Sequence, residues 1–221
     1  MKNLNLIFDL DGTLVDSIPG IENSIREALS EVTGVREIPE LRNLIGPPIG
    51  KILATLFPAM DRELLARVES KFREIYNDRG WKRSILFQGM FDLLDRLHLQ
   101  GDRLFVATNK PLIPTRKILE KAGLLPLMHE ILCPDSKSPV FASKTEMIRE
   151  MMQVHSLSRP HTLYIGDQPG DQVAAADCDI LFVGVTYGYG SKADFQPQNC
   201  LAANNVAELE KIFQHIRTAH E

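Results

Sequence analysis

An apolar run, Leu6-Ile7-Phe8, leads into two carboxylates spaced two apart, Asp9 and Asp11, and then into Gly12 and Thr13. An apolar run this short and unbroken suits a strand buried on both faces, as in a parallel sheet. Strand geometry alternates side chains, so Asp9 and Asp11 leave on one side and Leu10 on the other. Gly12 frees the backbone to turn, and Thr13 can cap or bind at that turn. Two unit charges 4 Å apart repel by roughly 4 kcal/mol at an effective dielectric constant of 20. A fold keeps such a pair at a strand end when a cation or a shared proton relieves it.

Downstream, the hydrophobic pattern changes character once. From Ser17 to about Gln88 it is helical throughout and predicts no strand. Ser17 can cap a helix with Pro19 in its first turn, carrying Ile21, Ile25, Ala28, Leu29 and Val32 and stopping at Gly34. The cluster Gly46-Pro47-Pro48-Ile49-Gly50 reads as a loop into a short helix toward Phe57. Asp61 is a cap candidate for a helix whose face is Leu64, Val68, Phe72 and Ile75. From residue 89 onward helix and strand alternate. Helices are expected over 89–100 (burying Phe91, Leu94 and Leu97), 112–122, 144–154, from about Asp171, and 206–217; strands over 104–107, 128–133, 162–165 and 180–185. That alternation implies right-handed crossovers and a parallel sheet covered on both faces. The fold class is therefore α/β: a three-layer, Rossmann-like core of residues 1–16 and 88–221, with residues 17–87 inserted as a helical cap. An insert leaving the carboxyl edge of the first strand sits where open α/β sheets bind ligands, and it can serve as a lid.

Bulk properties narrow the function. At 221 residues, 44% hydrophobic and 24% charged, the chain can bury a sizeable core. A net charge of −4 and the lack of a basic tract argue against a nucleic-acid partner. Cys133, Cys178 and Cys200 are odd in number and far apart, which fits reduced thiols better than a disulfide framework or a zinc site. No leader pattern or membrane-length apolar run is present, so a cytoplasmic protein is expected.

The chemistry gathers at the strand ends: Asp9 and Asp11 after the first, Thr108 and Asn109 after the second, Asp167 with Asp171 after the fourth. Carboxylate-dominated oxygen sites suit a hard cation, and Mg2+ is the one expected. Ser143 and Glu146 have capping-box spacing, which puts Lys144 in a first helical turn, the unfavourable end of the dipole for a cation. A lysine so placed makes sense beside an acidic site; Lys137 is the other candidate. Four carboxylates against one lysine leave a negative surplus that a divalent ion offsets and that would otherwise repel a phosphate dianion. Metal dependence follows. The loop Gly184–Gly190 matches no dinucleotide fingerprint and reads as a plain connection. Lys51 reads as a solvated helix-face lysine.

Asp9-Leu10-Asp11-Gly12-Thr13, Thr108-Asn109, Lys144 at a helix start, and Gly166-Asp167 with Asp171 resemble the four motifs of the haloacid dehalogenase superfamily of phosphohydrolases, in that family's order. Gly12-Thr13-Leu14-Val15-Asp16-Ser17 and the segment from Gly184 to Gly190 are similar to its phosphoglycolate-phosphatase-like branch, with one departure: Thr145 stands where that branch usually has proline. The resemblance implies hydrolysis of a small phosphate monoester. Asp9 would be the nucleophile, giving an aspartyl-phosphate, and Asp11 the acid and base. Asp9, the Asp11 carbonyl and Asp167 would hold magnesium, and Asp171 would orient Lys144 or a metal-bound water. Thr108, the Asn109 backbone, Lys144 and Gly12 would meet the phosphoryl group. The cap sets substrate choice, so a phosphosugar mutase, a pyrophosphatase, a 5′-nucleotidase and a phosphonate hydrolase stay open on the same core. A receiver-like phospho-aspartate switch is the non-enzymatic alternative. It would carry its phosphorylated Asp on the third strand and lack the insert. Either a monomer or a homodimer fits.

Overall fold

The computed structural model describes residues 3–195 and 201–219; Cys200 lies outside them. In chain order the elements are β1 (Asn5–Phe8), β2 (Val15–Asp16), α1 (Ile18–Thr33), α2 (Ile49–Leu56), α3 (Arg62–Asp78), β3 (Ile85–Leu86), α4 (Met90–Leu99), β4 (Arg103–Ala107), α5 (Leu112–Lys121), β5 (Met128–Leu132), α6 (Lys144–Val154), β6 (Thr162–Gly166), α7 (Pro169–Ala176), β7 (Leu181–Val185), β8 (Leu201–Ala203) and α8 (Val206–Ala219). Six strands form one parallel sheet in the order β5-β4-β1-β6-β7-β8.

Period-2 alternation sorts the sheet's side chains into two cores. Leu6, Phe8, Leu104, Val106, Leu163, Ile165, Val183 and Val185 pack on one face with apolar residues of α4, α5 and α8. Ile7, Phe105, Ala107, Tyr164 and Phe182 pack on the other with α6 and α7. Helices therefore cover both faces, giving the three-layer α/β architecture. Being central, β1 is flanked in register by Phe8↔Val106 and Phe8↔Ile165. The residues just past these positions thus emerge side by side at one edge.

The helices α1, α2 and α3 build a third apolar cluster around Ile25, Leu29, Leu53, Val68, Phe72 and Tyr76. Gly34 ends α1 in a left-handed conformation, and Asp61 caps α3 by accepting from the Leu64 N–H at 2.8 Å.

Four local expectations need correction. The stretch to Gln88 is not wholly helical: Val15 and Asp16 pair antiparallel with Leu86 and Ile85. The chain thus enters and leaves the helical segment through one two-stranded ribbon, too short for hydrophobic period to show. An additional strand, β8, closes the sheet edge next to β7. In α4 Phe91 is 41% exposed and Leu93 is buried in its place. Finally, at the start of α1 it is Asp16 Oδ1, not Ser17, that accepts from the Ile18 N–H, at 3.1 Å.

Candidate active site

Strand β1 delivers Asp9 to the sheet edge, where its N–H still donates to the Ile165 carbonyl at 2.9 Å. Strand β6 delivers Asp167, and Asp171 follows in the first turn of α7. All three are buried, and each offers a carboxylate oxygen within 4.8 Å of the others. Asp171 is held by the ends of both its neighbours: its Oδ2 accepts from the Gln168 N–H at 3.0 Å, and its Oδ1 accepts from Lys144 Nζ at 2.5 Å. Lys144 opens α6 and is itself buried; the Ser143 hydroxyl oxygen accepts from the Glu146 N–H at 3.2 Å, while Glu146 reaches back to the Ala142 N–H. Its Nζ also lies 3.2 Å from Asp9 Oδ1, a charge contact without hydrogen-bond alignment, so that Oδ1 keeps no hydrogen-bond partner among the described residues. Lys137 instead pairs with Glu150 on the surface and takes no part.

Asp11 takes a different route. Its carboxylate stands apart from the three others and accepts from Lys110 Nζ at 2.9 Å through each oxygen. Thr108 is buried and its Oγ1 accepts from the Lys110 N–H at 3.3 Å, which leaves the Thr108 hydroxyl proton free to donate. The Asn109 side chain reaches across to the helical segment and donates to the Gly46 carbonyl at 3.3 Å. Gly12 has its N–H engaged by the Val15 carbonyl at 2.9 Å. What Gly12 supplies is space: its φ is +81°, and a Cβ there would run into the Asp167 carboxylate. Asp9, Asp11, Thr108 and Asn109 line a cavity of about 260 Å³ roofed by Ile21, Phe72, Arg73 and Tyr76. Lys51 is exposed and lies outside it.

Three residues that serve the site escaped the sequence reading. Lys110 follows Thr108-Asn109 directly, and its position on the same strand edge was the available signal. Gln168 donates its side-chain amide to Asp167 Oδ2 at 2.9 Å. Tyr189 gives its backbone N–H to the same oxygen at 2.9 Å, while its hydroxyl accepts from the Ser17 N–H at 2.7 Å and donates to Asp16 at 3.1 Å. The loop Gly184–Gly190 is thus a brace between the acidic cluster and the start of α1, not a plain connection; the alternation Tyr187-Gly188-Tyr189-Gly190 was its signature. Gly188 lies against the Gly12 carbonyl and Asp167, with no room for a Cβ, whereas Gly170 faces open space. Gly188→Ala is expected to cost about 1–3 kcal/mol and to lower the melting temperature by several degrees, with Gly170→Ala neutral. Equal melting temperatures for the two variants would contradict this account of the loop.

The donor set fits magnesium. Oxygen-only, carboxylate-rich ligation is what that ion takes, and two buried oxygens, Asp9 Oδ1 and Asp167 Oδ1, have no hydrogen-bond partner among the described residues. Burial, then Asp171 and Asp9, push the Asp167 carboxyl up to about 7. Burial also lifts Asp9, to about 6, against the pull of Lys144. Both values exceed the ordinary 3.8, so the folded state binds more protons than the unfolded one. Metal-free stability therefore falls as pH rises through the interval from about 4 to about 7. A saturating ion at 100 times its dissociation constant adds about 2.7 kcal/mol. Thermal melts should show little gain from Mg2+ at pH 5, where protons compete, and a clear gain at pH 8. A gain that did not grow with pH would be evidence against ligation by these carboxylates.

A parallel α/β sheet with buried acidic residues gathered at its carboxyl edge, under a helical roof, defines a class of phosphate-ester hydrolases. The sequence model of the family described as haloacid dehalogenase-like hydrolase matches residues 6–185, and the chain belongs to that family. It is similar to a 5′-nucleotidase of Pseudomonas aeruginosa, 29% identical over 215 residues and 95% of each chain. A phosphoglycolate phosphatase of Vibrio cholerae is 31% identical over 199 residues, 86% of this chain and 87% of that one. Among solved structures, a predicted phosphatase from Clostridium acetobutylicum superposes with a TM-score of 0.83 at 28% identity, over 97% of this chain and all of the other. The chain is accordingly a magnesium-using phosphoric monoester hydrolase of the phosphoglycolate-phosphatase-like branch.

Proposed function

We propose that the substrate is a small phosphorylated metabolite of phosphoglycolate size, hydrolysed at Asp9. The observation that carries this reading is the convergence of Asp9, Asp167, Asp171 and Lys144 beneath a cavity of about 260 Å³. That volume falls short of the roughly 300–1,000 Å³ of drug-sized ligand sites. A compact ester fits within it. Asp9 attacks phosphorus in line and forms the aspartyl-phosphate; Asp11 protonates the leaving oxygen, then takes a proton from the water that frees phosphate. Thr108, the Asn109 backbone and Lys144 hold phosphoryl oxygens, and Gly12 lets the turn carrying Asp11 close on Asp167. Asp9 and Asp167, with the Asp11 carbonyl, would hold the magnesium, and Asp171 keeps Lys144 aimed at Asp9. When bound, the ion offsets charge on the transferring group.

Residues 17–87 form the cap and residues 1–16 with 88–221 the core. The β2–β3 ribbon is the hinge between them, because both crossings of the chain pass through it. Among the described residues no helix is long and apolar enough to cross a membrane. We place the enzyme in the cytoplasm, as a monomer or a homodimer that needs no nucleic acid.

The test is phosphate release from a panel of phosphomonoesters with and without Mg2+. The expected result is metal-dependent turnover, fastest for short alkyl phosphates carrying a carboxylate. Preference for nucleoside 5′-monophosphates would transfer the assignment to the activity named for the Pseudomonas relative.

A further inference from the structure

Lys110 is a buried lysine with a task that phosphoryl binding does not explain. Its side chain is 5% exposed and that of Asp11 is 15% exposed. Its Nζ lies 2.9 Å from both Asp11 oxygens, so two of its three donors serve one carboxylate. The other side of the ammonium rests on the cap: Nζ is 4.7 Å from the centroid of the Tyr76 ring, within cation–π range. Tyr76 is in turn stacked on Phe72, with ring centroids 5.4 Å apart and planes 18° from parallel. Burial disfavours the ammonium, yet Asp11 and Tyr76 together outweigh it and keep Lys110 charged, above its ordinary value. A core side chain therefore links the Asp11 carboxylate to an aromatic shelf of the helical segment.

We propose that Lys110 is the positioning residue of Asp11, and that its contact with Tyr76 makes proton transfer by Asp11 depend on the docked cap. The proposal rests on the assignment of Asp11 as proton donor. In the first step the Asp9 oxygen bonds to phosphorus as the ester P–O bond breaks. The electron pair stays on the departing oxygen, the Asp11 O–H proton moves to it, and the alcohol leaves. Asp11 is then the carboxylate that Lys110 holds through both oxygens, in place to take a proton from the water that frees phosphate. With the cap away, Tyr76 and Phe72 no longer cover the ammonium, water screens the pair, and the hold on Asp11 weakens.

The test compares leaving groups. An alkyl phosphate leaves as an alkoxide that must be protonated, whereas the nitrophenolate of p-nitrophenyl phosphate leaves without help. Lys110→Met and Lys110→Gln are expected to lose kcat/KM on the alkyl ester by roughly 10²-fold, the lower end of what a positioned general acid contributes. Loss on the aryl ester should stay within about tenfold, and Lys110→Arg should recover part of the alkyl rate. Tyr76→Ala should show the same asymmetry at smaller amplitude, and Tyr76→Phe, which keeps the ring, should not. The alkyl-to-aryl ratio is measured on one sample, so it is independent of the fraction that folds. Equal losses on both esters in the Lys110 variants, with the asymmetry present in Asp11→Asn, overturn the proposal alone. No asymmetry in Asp11→Asn overturns the role of Asp11 and the proposal with it. An asymmetry in Lys110→Met but none in Tyr76→Ala overturns the coupling to the cap.

Discussion

Asp9→Asn is expected to lose turnover of every phosphate ester by on the order of 10⁴-fold or more, while the protein keeps its fold. Removing a single catalytic nucleophile elsewhere has cost up to about 10⁶-fold in kcat, and Asn cannot form the acyl-phosphate. The fold should persist because the amide is isosteric and Asp9 is one of three acidic groups crowded within 4.8 Å. Replacing one with a neutral group relieves repulsion, and Lys144 keeps Asp171 as its partner at 2.5 Å. Two measurements separate this mechanism from direct attack by water. Phosphate release gives the rate, and acid quenching during turnover of a phosphate-labelled ester traps label on the wild-type protein but none on Asp9→Asn. A variant that retained a near-native rate, or that still trapped label, would remove Asp9 from the chemistry.

What the amino-acid sequence made readable follows from how far each signal reaches. Asp9 and Asp167 were visible because a buried parallel strand announces itself by an apolar run, and its last residue must lie at the ligand edge. Lys144 was visible because a capping pair fixed it in a first helical turn, where a cation is out of place. Asp171 was visible by its spacing from Asp167. The pairing of Lys110 with Asp11 was not, since the two are far apart in the chain and meet only because β1 and β4 are adjacent in the sheet. Tyr189 was hidden for the same reason: its partners Asp16, Ser17 and Asp167 are brought to it by tertiary folding alone. In α4 the exchange of Phe91 for Leu93 shows the limit of periodicity. Several faces of a short apolar helix satisfy the same spacing, and packing against β4 and α8 chose between them. The β2–β3 ribbon and β8 are two and three residues long, below the length at which alternation carries information.

Lys144→Met is expected to cost about 3–5 kcal/mol in metal-free protein, the range found when one partner of a buried ion pair is removed. Lys144 begins α6, where the helix dipole disfavours a cation, and burial disfavours its charge as well. Asp171 and Asp9 outweigh burial and hold it charged, well above its ordinary value. Methionine fills much of the same space, so a void is not the main cost; the cost is two carboxylates left buried beside Asp167 with no cation between them. Lys144→Met combined with Asp171→Asn should be more stable than Lys144→Met alone, because the second change removes one of the stranded charges. Saturating Mg2+ should also recover part of the loss, since the ion supplies the missing positive charge. Lys137→Met is the control: its pairing with Glu150 is exposed on both sides, and exposed pairs contribute at most about 1 kcal/mol. Urea denaturation of the four proteins at pH 8, with chelator and with Mg2+, gives each quantity. If Lys144→Met and Lys137→Met cost the same, or if Asp171→Asn makes the first variant worse, Lys144 is not what holds the acidic cluster together.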